Sequence, residues 1–413
     1  MDINFLGIFQ GIQLMMDADP MMTVARFSLI LIGFVLMYLG KKGVLEPLLM
    51  IPMGLGMSTI NASVMLFDPI NMVAGKAATA HKTGTLFLDA TEKVNDNLIT
   101  LSQIDWLQPV YTFTFSNGLV ACLVFLGIGS LLDVGFVMAR PYVSMFLALC
   151  AELGTIITLP IAHAFGFSLK DSASIALVGG ADGPMVLFGS LKMSPALFVP
   201  ITVVAYLYLG LAYGGFPYLI KWTIPKKLLS IQMPSTPKDR EITSGQKLIF
   251  ATLACVVLCF LFPVASPLFF SLFLGITIRE SGLKQFHYLL SEIVLYGATL
   301  TLGLLLGVLC EASTILSKEV LPLLILGVLS LLLSAIGGII GGYIMYFITG
   351  GKFNPAIGVA GVSCVPSTAK VVQKCVSKAN PSAIVMQYAL GANISGVITT
   401  AVIAAIYISI LAR

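Results

Sequence analysis

The chain has 413 residues, of which 58% are hydrophobic and 10% are charged, with a formal net charge of +4. Soluble domains carry roughly 25% charged residues, so this composition excludes an ordinary water-soluble protein. Several apolar stretches exceed the ~18 residues that mark a bilayer-spanning helix, and we predict an all-α polytopic membrane protein. The seven cysteines are scattered without metal-binding spacing, which excludes a zinc knuckle or a disulfide framework.

The membrane spans begin after an N-terminal stretch that does not resemble a cleavable signal, because the first basic residue is Arg26. We expect Met1–Met16 to form a short amphipathic helix on the membrane surface. The region 248–278 is expected to consist of two short pieces. Apolar spans are predicted at 23–40, 45–65, 110–132, 141–166, 195–220, 248–278, 288–309, 322–348 and 382–411.

Two polar stretches separate these spans. Leu66–Gln108 is predicted to be an amphipathic excursion outside the membrane, whereas Lys221–Lys247 is a basic linker. Lys and Arg concentrate on the cytoplasmic side, so we place the linker in the cytoplasm. It divides the chain into an N-terminal membrane repeat (1–220), the linker (221–247) and a C-terminal membrane repeat (248–413). Because it lacks interleaved aromatic residues, the linker does not indicate nucleic-acid binding.

The two halves share an unusual pattern. A Gly/Pro-broken segment, Lys170–Leu191 or Phe353–Val372, is followed in each half by a Ser-Pro or Asn-Pro pair and then by a span. Interrupted hydrophobic segments at corresponding places indicate a transporter site between two repeats. We expect inverted repeats whose broken, re-entrant helices form an elevator-type core beside a scaffold. Coincidence among glycine-rich membrane helices is the alternative.

The first broken segment contains GGADGP, with Asp182 between Gly180 and Gly183. Gly and Pro interrupt a helix here and free backbone carbonyls, which membrane depth tolerates only where other groups satisfy them. A carboxylate among such carbonyls suits a hard monovalent cation, and an unpartnered Asp182 would cost roughly 3 kcal/mol. The alternative is an aspartate that caps a helix at the membrane surface.

The second broken segment, FNPAIGVAGVSCVP, offers neutral oxygen atoms. Asn354 supplies an amide, Ser363 supplies a hydroxyl, and Gly358 and Gly361 allow close approach of the backbone. Neutral ligands that face one carboxylate favour a monovalent cation, since Mg²⁺ or Ca²⁺ would recruit more carboxylates. Taken alone, Asn354 could equally be a helix N-cap.

Further candidates lie on the spans that follow. Tyr208 and Asn393 occupy nearly corresponding polar positions in the two halves, and both are predicted Na⁺ ligands. Tyr208 could also donate a proton, and the alternative is a tyrosine of the aromatic belt at the membrane interface. Lys370, seven residues beyond Ser363, could bind an anion or extend to the membrane interface. Weaker candidates are the other acids within or near the spans, namely Glu46, Asp133, Glu152 and Glu292.

At these motifs the sequence resembles the β subunit of the biotin-dependent, sodium-translocating decarboxylases, which act on oxaloacetate, methylmalonyl-CoA, glutaconyl-CoA or malonate. The resemblance is carried by GGADGP and NPAIGVAGVSCVP, with EPLLMIPMG and FLGIGSLLDVG also fitting. It implies that Asp182 and Tyr208 are essential, with the second-motif functions at Asn354, Gly358 and Ser363. A family arginine falls at Lys370, which keeps the cation but loses the bidentate fork.

The resemblance implies a membrane subunit that releases CO₂ from carboxybiotin, consumes a proton and exports Na⁺. Its catalytic residues would be Asp182, Tyr208 and Lys370. Burial favours the protonated form of Asp182 and bound Na⁺ favours the ionised form, which would couple the two ions. Biotin would be presented by a partner, because the chain has no biotin-acceptor tripeptide.

The implied partners are a carboxyltransferase subunit, a biotin carrier subunit and a small membrane-anchor subunit. They would assemble on a homotrimeric membrane core in the bacterial cytoplasmic (inner) membrane. The alternative function is a secondary Na⁺-coupled carboxylate symporter. It would need a basic substrate site in the core, for which Lys370 is the best candidate.

Overall fold

A computed structural model of the protein describes residues 20–63, 107–234, 242–316 and 320–412. These residues form helices joined by short connections, and no strand occurs among them. Six helices are long and apolar enough to cross a membrane, and two bent helix pairs would raise the number to eight. The prediction of an all-α polytopic membrane protein is confirmed. The predicted surface helix and residues 66–106 of the predicted polar excursion lie outside the described residues.

In the N-terminal half, the described residues begin with α1 at Pro20. A helical segment, Gln108–Phe115, precedes α3 and is bent from it by 62°. It consists of one short α-helical turn, Gln108–Val110, and the π-helix Tyr111–Phe115. The α-helices of this half are α1 (Pro20–Lys41), α2 (Pro47–Ser63), α3 (Leu119–Leu131), α4 (Gly135–Ala139), α5 (Pro141–Ala151), α6 (Leu153–Ala164), α7 (Leu169–Ala176), α8 (Gly183–Met193) and α9 (Phe198–Thr223).

The C-terminal half begins after the short helix α10 (Lys226–Leu229) of the linker. A 3₁₀-helix, Pro355–Gly361, takes the place of a second interrupted span. The remaining α-helices are α11 (Ser244–Leu261), α12 (Ser266–Glu280), α13 (Lys284–Tyr288), α14 (Leu295–Leu309), α15 (Ala312–Ile315), α16 (Val320–Ile348), α17 (Ser367–Ala379) and α18 (Met386–Leu411).

The predicted spans agree with these helices to within a few residues at most ends. The region 248–278 is two helices, α11 and α12, as expected. The predicted span 141–166 is α5 followed by α6, with the break at Glu152.

The helices pack in two groups with a symmetric pattern of contacts. In the first group α1 packs on α2 and α11 on α12, while α2 contacts α14 and α12 contacts α3. The second group surrounds the broken segments, with α5, α6, α9, α16 and α18 packed against them. The predicted broken segments therefore lie within one group of helices.

One end of the first group carries a cluster of ion pairs. Lys247 Nζ lies 2.7 Å from Asp133 Oδ1, and Arg279 lies 3.4 Å from Asp133 Oδ2. Burial alone would raise the pKa of Asp133. The hydrogen bond from Lys247, the Gly135 N–H and the two cationic charges together bring that pKa below its ordinary value. This cluster fixes the loop after α3 to α11 and α12.

Each broken segment is a helical hairpin. The first hairpin consists of α7, the 3₁₀ turn Leu177–Gly180 and α8, and its two ends are joined by a hydrogen bond from the Ser194 hydroxyl to Asp171. The second consists of the 3₁₀-helix Pro355–Gly361 and α17. Both of its ends bind linker carbonyls, through Asn354 and Asn380. Because α9 connects the first hairpin to the linker, the hairpins are anchored at opposite ends of this 26-residue helix.

Candidate ion-binding site

The tips of the two hairpins meet at Asp182 and Ser363. The Ser363 N–H donates to the Gly180 carbonyl over 3.1 Å. The Ser363 hydroxyl oxygen lies 2.9 Å from the same carbonyl and 3.2 Å from Asp182 Oδ2. The two predicted motifs, which are far apart in sequence, thus share one cluster of oxygen atoms.

Asp182 is buried, with 5% of its surface exposed, and it begins α8. Its Oδ1 accepts the Met185 N–H over 3.3 Å, which is the bond expected of an N-cap. The preceding Ala181 adopts the left-handed conformation, φ 53°, which turns the chain sharply between α7 and α8. Asp182 therefore caps a helix, as the alternative prediction proposed, but it is buried at a hairpin tip. The Oδ2 atom faces Ser363.

The four predicted motif glycines lie where a side chain would not fit. A Cβ on Gly180 would lie 2.5 Å from Thr400 Cγ2, and one on Gly183 would lie 2.7 Å from the Tyr206 hydroxyl. A Cβ on Gly361 would lie 2.7 Å from the Leu147 carbonyl oxygen, and one on Gly358 would overlap the backbone of α16. These glycines allow the hairpin backbones to approach their neighbours closely.

Asn354 does not contact this cluster. Its amide donates to the carbonyls of Leu229 and Ile231, each over 2.9 Å, and its oxygen accepts the Ala356 N–H. The 3₁₀-helix of 7 residues between Asn354 and Ser363 rises about 14 Å. In this conformation Asn354 caps the hairpin at the linker, and its role as a Na⁺ ligand remains a prediction.

Asn393 lies in α18, directly behind the second tip. Its amide nitrogen lies 2.8 to 3.0 Å from three acceptors, the carbonyl oxygens of Ala360 and Val362 and the Thr368 hydroxyl oxygen, and donates its two hydrogens among them. Its Oδ1 is buried and has no hydrogen-bond partner among the described residues, and the same is true of the Ser395 hydroxyl. An unpartnered buried oxygen is costly, so Asn393 can both hold the tip and offer an oxygen to a cation.

Tyr208 points away from Asp182. Residues two apart on a helix face different directions, and the Tyr208 hydroxyl donates to the Leu324 carbonyl of α16 over 2.7 Å. It lines an open apolar groove of about 450 Å³ on the surface of α16. Its predicted roles in catalysis and Na⁺ binding remain predictions.

The tyrosine beside the carboxylate is Tyr206, which sequence reasoning missed. Its ring packs against Gly183, and it interacts electrostatically with Asp182. Its hydroxyl is buried and has no hydrogen-bond partner among the described residues. Both tyrosines lie in one apolar span, so the sequence alone offered no signal to choose between the faces of α9.

Lys370 is exposed in α17, beyond the tip of the second hairpin. Lys374 and Lys378 follow at intervals of four residues and are also exposed, whereas Val371 and Cys375 are buried. This spacing places the three lysines on one face, which we call the lysine stripe. The stripe runs from the tip towards the linker, where Asn380, just after α17, donates to the Ser230 carbonyl.

The donor atoms at the tips suit a monovalent cation. No group of three or more His, Cys, Asp or Glu side chains suitable for a metal occurs within residues 20–63, 107–234, 242–316 and 320–412. One carboxylate, one hydroxyl and the Gly180 carbonyl bring a single negative charge. Hard divalent ions usually recruit several carboxylates.

Known proteins with similar sequences also indicate a site for Na⁺. Residues 25–411 match the family model of the Na⁺-transporting oxaloacetate decarboxylase beta subunit. Carboxybiotin decarboxylase of Malonomonas rubra is 47% identical, over 99% of this chain and 98% of that protein. Methylmalonyl-CoA decarboxylase subunit beta of Veillonella parvula is 30% identical, over 95% and 94% respectively. The oxaloacetate decarboxylase beta chain of Haemophilus ducreyi is 27% identical, over 98% of both chains.

Proposed function

Since the chain belongs to the family of Na⁺-transporting decarboxylase beta subunits, we propose that it couples decarboxylation of carboxybiotin to Na⁺ export. The protein is a multi-pass membrane protein. The observation that carries the proposal is the buried Asp182 carboxylate, which lies 3.2 Å from Ser363 where the two hairpin tips meet.

Asp182 and Ser363 are proposed to be the principal ligands of Na⁺, the transported substrate. Freed carbonyls at the tips and the unpartnered Oδ1 of Asn393 supply further oxygen atoms. Asn354 and Tyr208 belong to the proposed set through the family resemblance. They would have to join it in another conformation, because here both are bonded to backbone carbonyls.

Carboxybiotin is proposed to approach along the lysine stripe. Its carboxyl group is an anion, and exposed ammonium groups leading from the linker to the tip attract such a group. Lys370 lies nearest the tip and takes the position of the family arginine. Decarboxylation is favoured when the carboxyl group leaves water and the biotin nitrogen receives a proton. Asp182 is proposed to hold that proton until Na⁺ replaces it.

The two halves are proposed to be inverted repeats, with the hairpins and the helices packed on them forming a mobile core. Helix α2 of the first half contacts α14 of the second, and α12 of the second half contacts α3 of the first. These two contacts are equivalent if α2 corresponds to α12 and α3 to α14, which supports this symmetry. Anchorage of the hairpins at opposite ends of α9 supports inversion, because each tip then enters from a different side. An elevator movement of this core beside the first group of helices would expose the site alternately.

The proposed partners are a carboxyltransferase subunit, a biotin carrier subunit and a small membrane-anchor subunit on a homotrimeric membrane core. The relatives support this division of labour. Chains that align over almost their full lengths carry the names of methylmalonyl-CoA and oxaloacetate decarboxylases. A shared beta subunit would therefore act on carboxybiotin, and another subunit would select the acid.

The test is Na⁺ transport by the complete complex in proteoliposomes. We expect Na⁺ uptake to accompany release of CO₂ from carboxybiotin, and avidin, which sequesters biotin, to abolish both. The Asp182→Asn variant should lose both activities and still receive the carboxyl group on biotin. The exposed Glu292 provides a matched control, because Glu292→Gln removes a carboxylate away from the tips. Normal pumping by Asp182→Asn would contradict the proposal, and Na⁺ uptake driven by a free carboxylate without biotin would favour the symporter.

A further inference from the structure

A second carboxylate, Glu152, is buried among hydroxyl groups in the core. It lies between α5 and α6 and exposes 1% of its surface. The Thr155 hydroxyl donates to its Oε2 over 2.7 Å, and the Thr400 hydroxyl donates to its Oε1. The Thr399 hydroxyl lies beside this carboxylate and donates within its own helix, to the carbonyls of Ser395 and Gly396. The site therefore draws ligands from the break between α5 and α6 and from the middle of α18.

The charge of Glu152 has no cationic side chain opposite it. Among the described residues no lysine, arginine or histidine forms an ion pair with this carboxylate. Glu311, the other deeply buried glutamate, lies 3.8 Å from Arg26. An ionised carboxylate among neutral hydroxyls is costly to bury unless a cation joins it.

The donor atoms around Glu152 favour a hard cation. They are carboxylate and hydroxyl oxygens, without the sulfur or imidazole ligands that select transition metals. The Ser334 hydroxyl, which packs against Gly154, is fully buried and has no hydrogen-bond partner among the described residues. It is an additional oxygen atom whose hydrogen-bonding capacity is unused.

Glu152 is connected to Asp182 by two hydroxyl groups. The Thr400 oxygen lies 3.4 Å from the Ser363 oxygen, which in turn lies 3.2 Å from Asp182. A cation at either carboxylate would reorient the hydroxyl groups that both carboxylates share. Occupancy of one position must therefore influence the other.

We infer that Glu152, with Thr155, Thr399 and Thr400, forms a second Na⁺ site beside the one at Asp182. This inference rests on the proposed function, because it assigns a second cation to the same core. It makes the core a carrier of two coupled cations and explains why a second acid is buried there without a basic partner.

Direct binding of radioactive Na⁺ to the purified complex tests the inference without relying on turnover. We expect the complex to bind two Na⁺ per beta chain, and Glu152→Gln and Asp182→Asn to bind one each. Glu292→Gln, which alters an exposed carboxylate, should retain both. Thr155→Val should raise the Na⁺ concentration for half-saturation of one site about tenfold, whereas Thr155→Ser, which keeps the hydroxyl, should resemble the parent.

The possible results separate the two ideas. If the parent complex binds no Na⁺, the proposed function fails and the second site fails with it. If the parent binds Na⁺ while Glu152→Gln and Thr155→Val bind the same number with the same affinity, only the second site is overturned. Loss of all binding in a correctly assembled Glu152→Gln complex would indicate one shared site and would also overturn it.

Discussion

Replacing Ser363 by alanine isolates the contact between the hairpin tips. The hydroxyl oxygen lies 3.2 Å from Asp182 Oδ2 and 2.9 Å from the Gly180 carbonyl oxygen. The Gly180 carbonyl would still accept the backbone N–H of residue 363 over 3.1 Å, so the tips should remain joined. Asp182 would lose the hydroxyl that contacts its Oδ2. A hydrogen bond to a charged group contributes about 1.5–3 kcal/mol, which corresponds to a rise of about 10- to 150-fold in the half-saturating Na⁺ concentration.

The assay is the initial rate of carboxybiotin decarboxylation by the reconstituted complex over a range of Na⁺ concentrations. Ser174→Ala is a matched control, since Ser174 is also a buried serine of the hairpins. Its hydroxyl donates only within its own helix, to the Lys170 carbonyl over 3.0 Å. We expect this control to leave the Na⁺ dependence nearly unchanged, because its neutral hydrogen bond lies within α7 and does not involve Asp182.

Two results would refute this reasoning. An unchanged Na⁺ dependence in a stable Ser363→Ala complex would remove the hydroxyl from the ion site. An equal shift in Ser174→Ala would show that any weakening of the hairpins has the same effect, so the contact with Asp182 would not be special.

Three further predictions concern packing, charge and pH. Gly358→Ala should prevent normal assembly, because the added Cβ would overlap the backbone of α16. Gly297→Ala should be tolerated, because the space around Gly297 is open. The measurement is the fraction of each variant that still elutes as the intact protein from a size-exclusion column after heating. Lys370→Arg should keep turnover of free carboxybiotin and Lys370→Ala should weaken it at saturating Na⁺; normal turnover by the alanine variant would exclude the binding role. The lowered pKa of Asp133 stabilises the protein above the ordinary carboxyl value of about 3.9, and this contribution is lost as the pH falls through the lowered pKa. Asp133→Asn should therefore cost about 1 kcal/mol at pH 7 and progressively less in acid, and an equal cost at all pH values would contradict this linkage.

The helices and the hairpin tips could be predicted from the sequence because their signals are local. Apolar length determines a span, and Gly and Pro interrupt it without help from distant residues. The motif around Asp182 and the hydroxyl of Ser363 were identified on this basis, and the structure brings these residues together. The inverted relation of the repeats remains a proposal, because sequence pattern alone does not fix the direction in which each segment enters the membrane.

Residues whose importance depends on distant contacts could not be assigned in this way. Tyr206 and Tyr208 share a helix that is buried on several sides, so hydrophobicity does not indicate which hydroxyl faces Asp182. The partners of Asn354 belong to the linker, which appeared in the sequence only as a basic polar stretch. Glu152 was ranked low because an acid near the middle of a span gives no sign of the threonines that surround it.

Buried carboxylates have different partners in the two groups of helices. Two acids outside the core are neutralised by the chain itself, Glu311 by Arg26 and Asp133 by Lys247. Within the core Asp182 and Glu152 are met by hydroxyls and N–H groups, which do not cancel a charge. Moving two bare carboxylates through the membrane would cost several kcal/mol, so the proposed movement of the core should be favoured only when cations or protons occupy both positions. An empty core would then stay on one side, and this restriction is what prevents a pump from letting Na⁺ return without work.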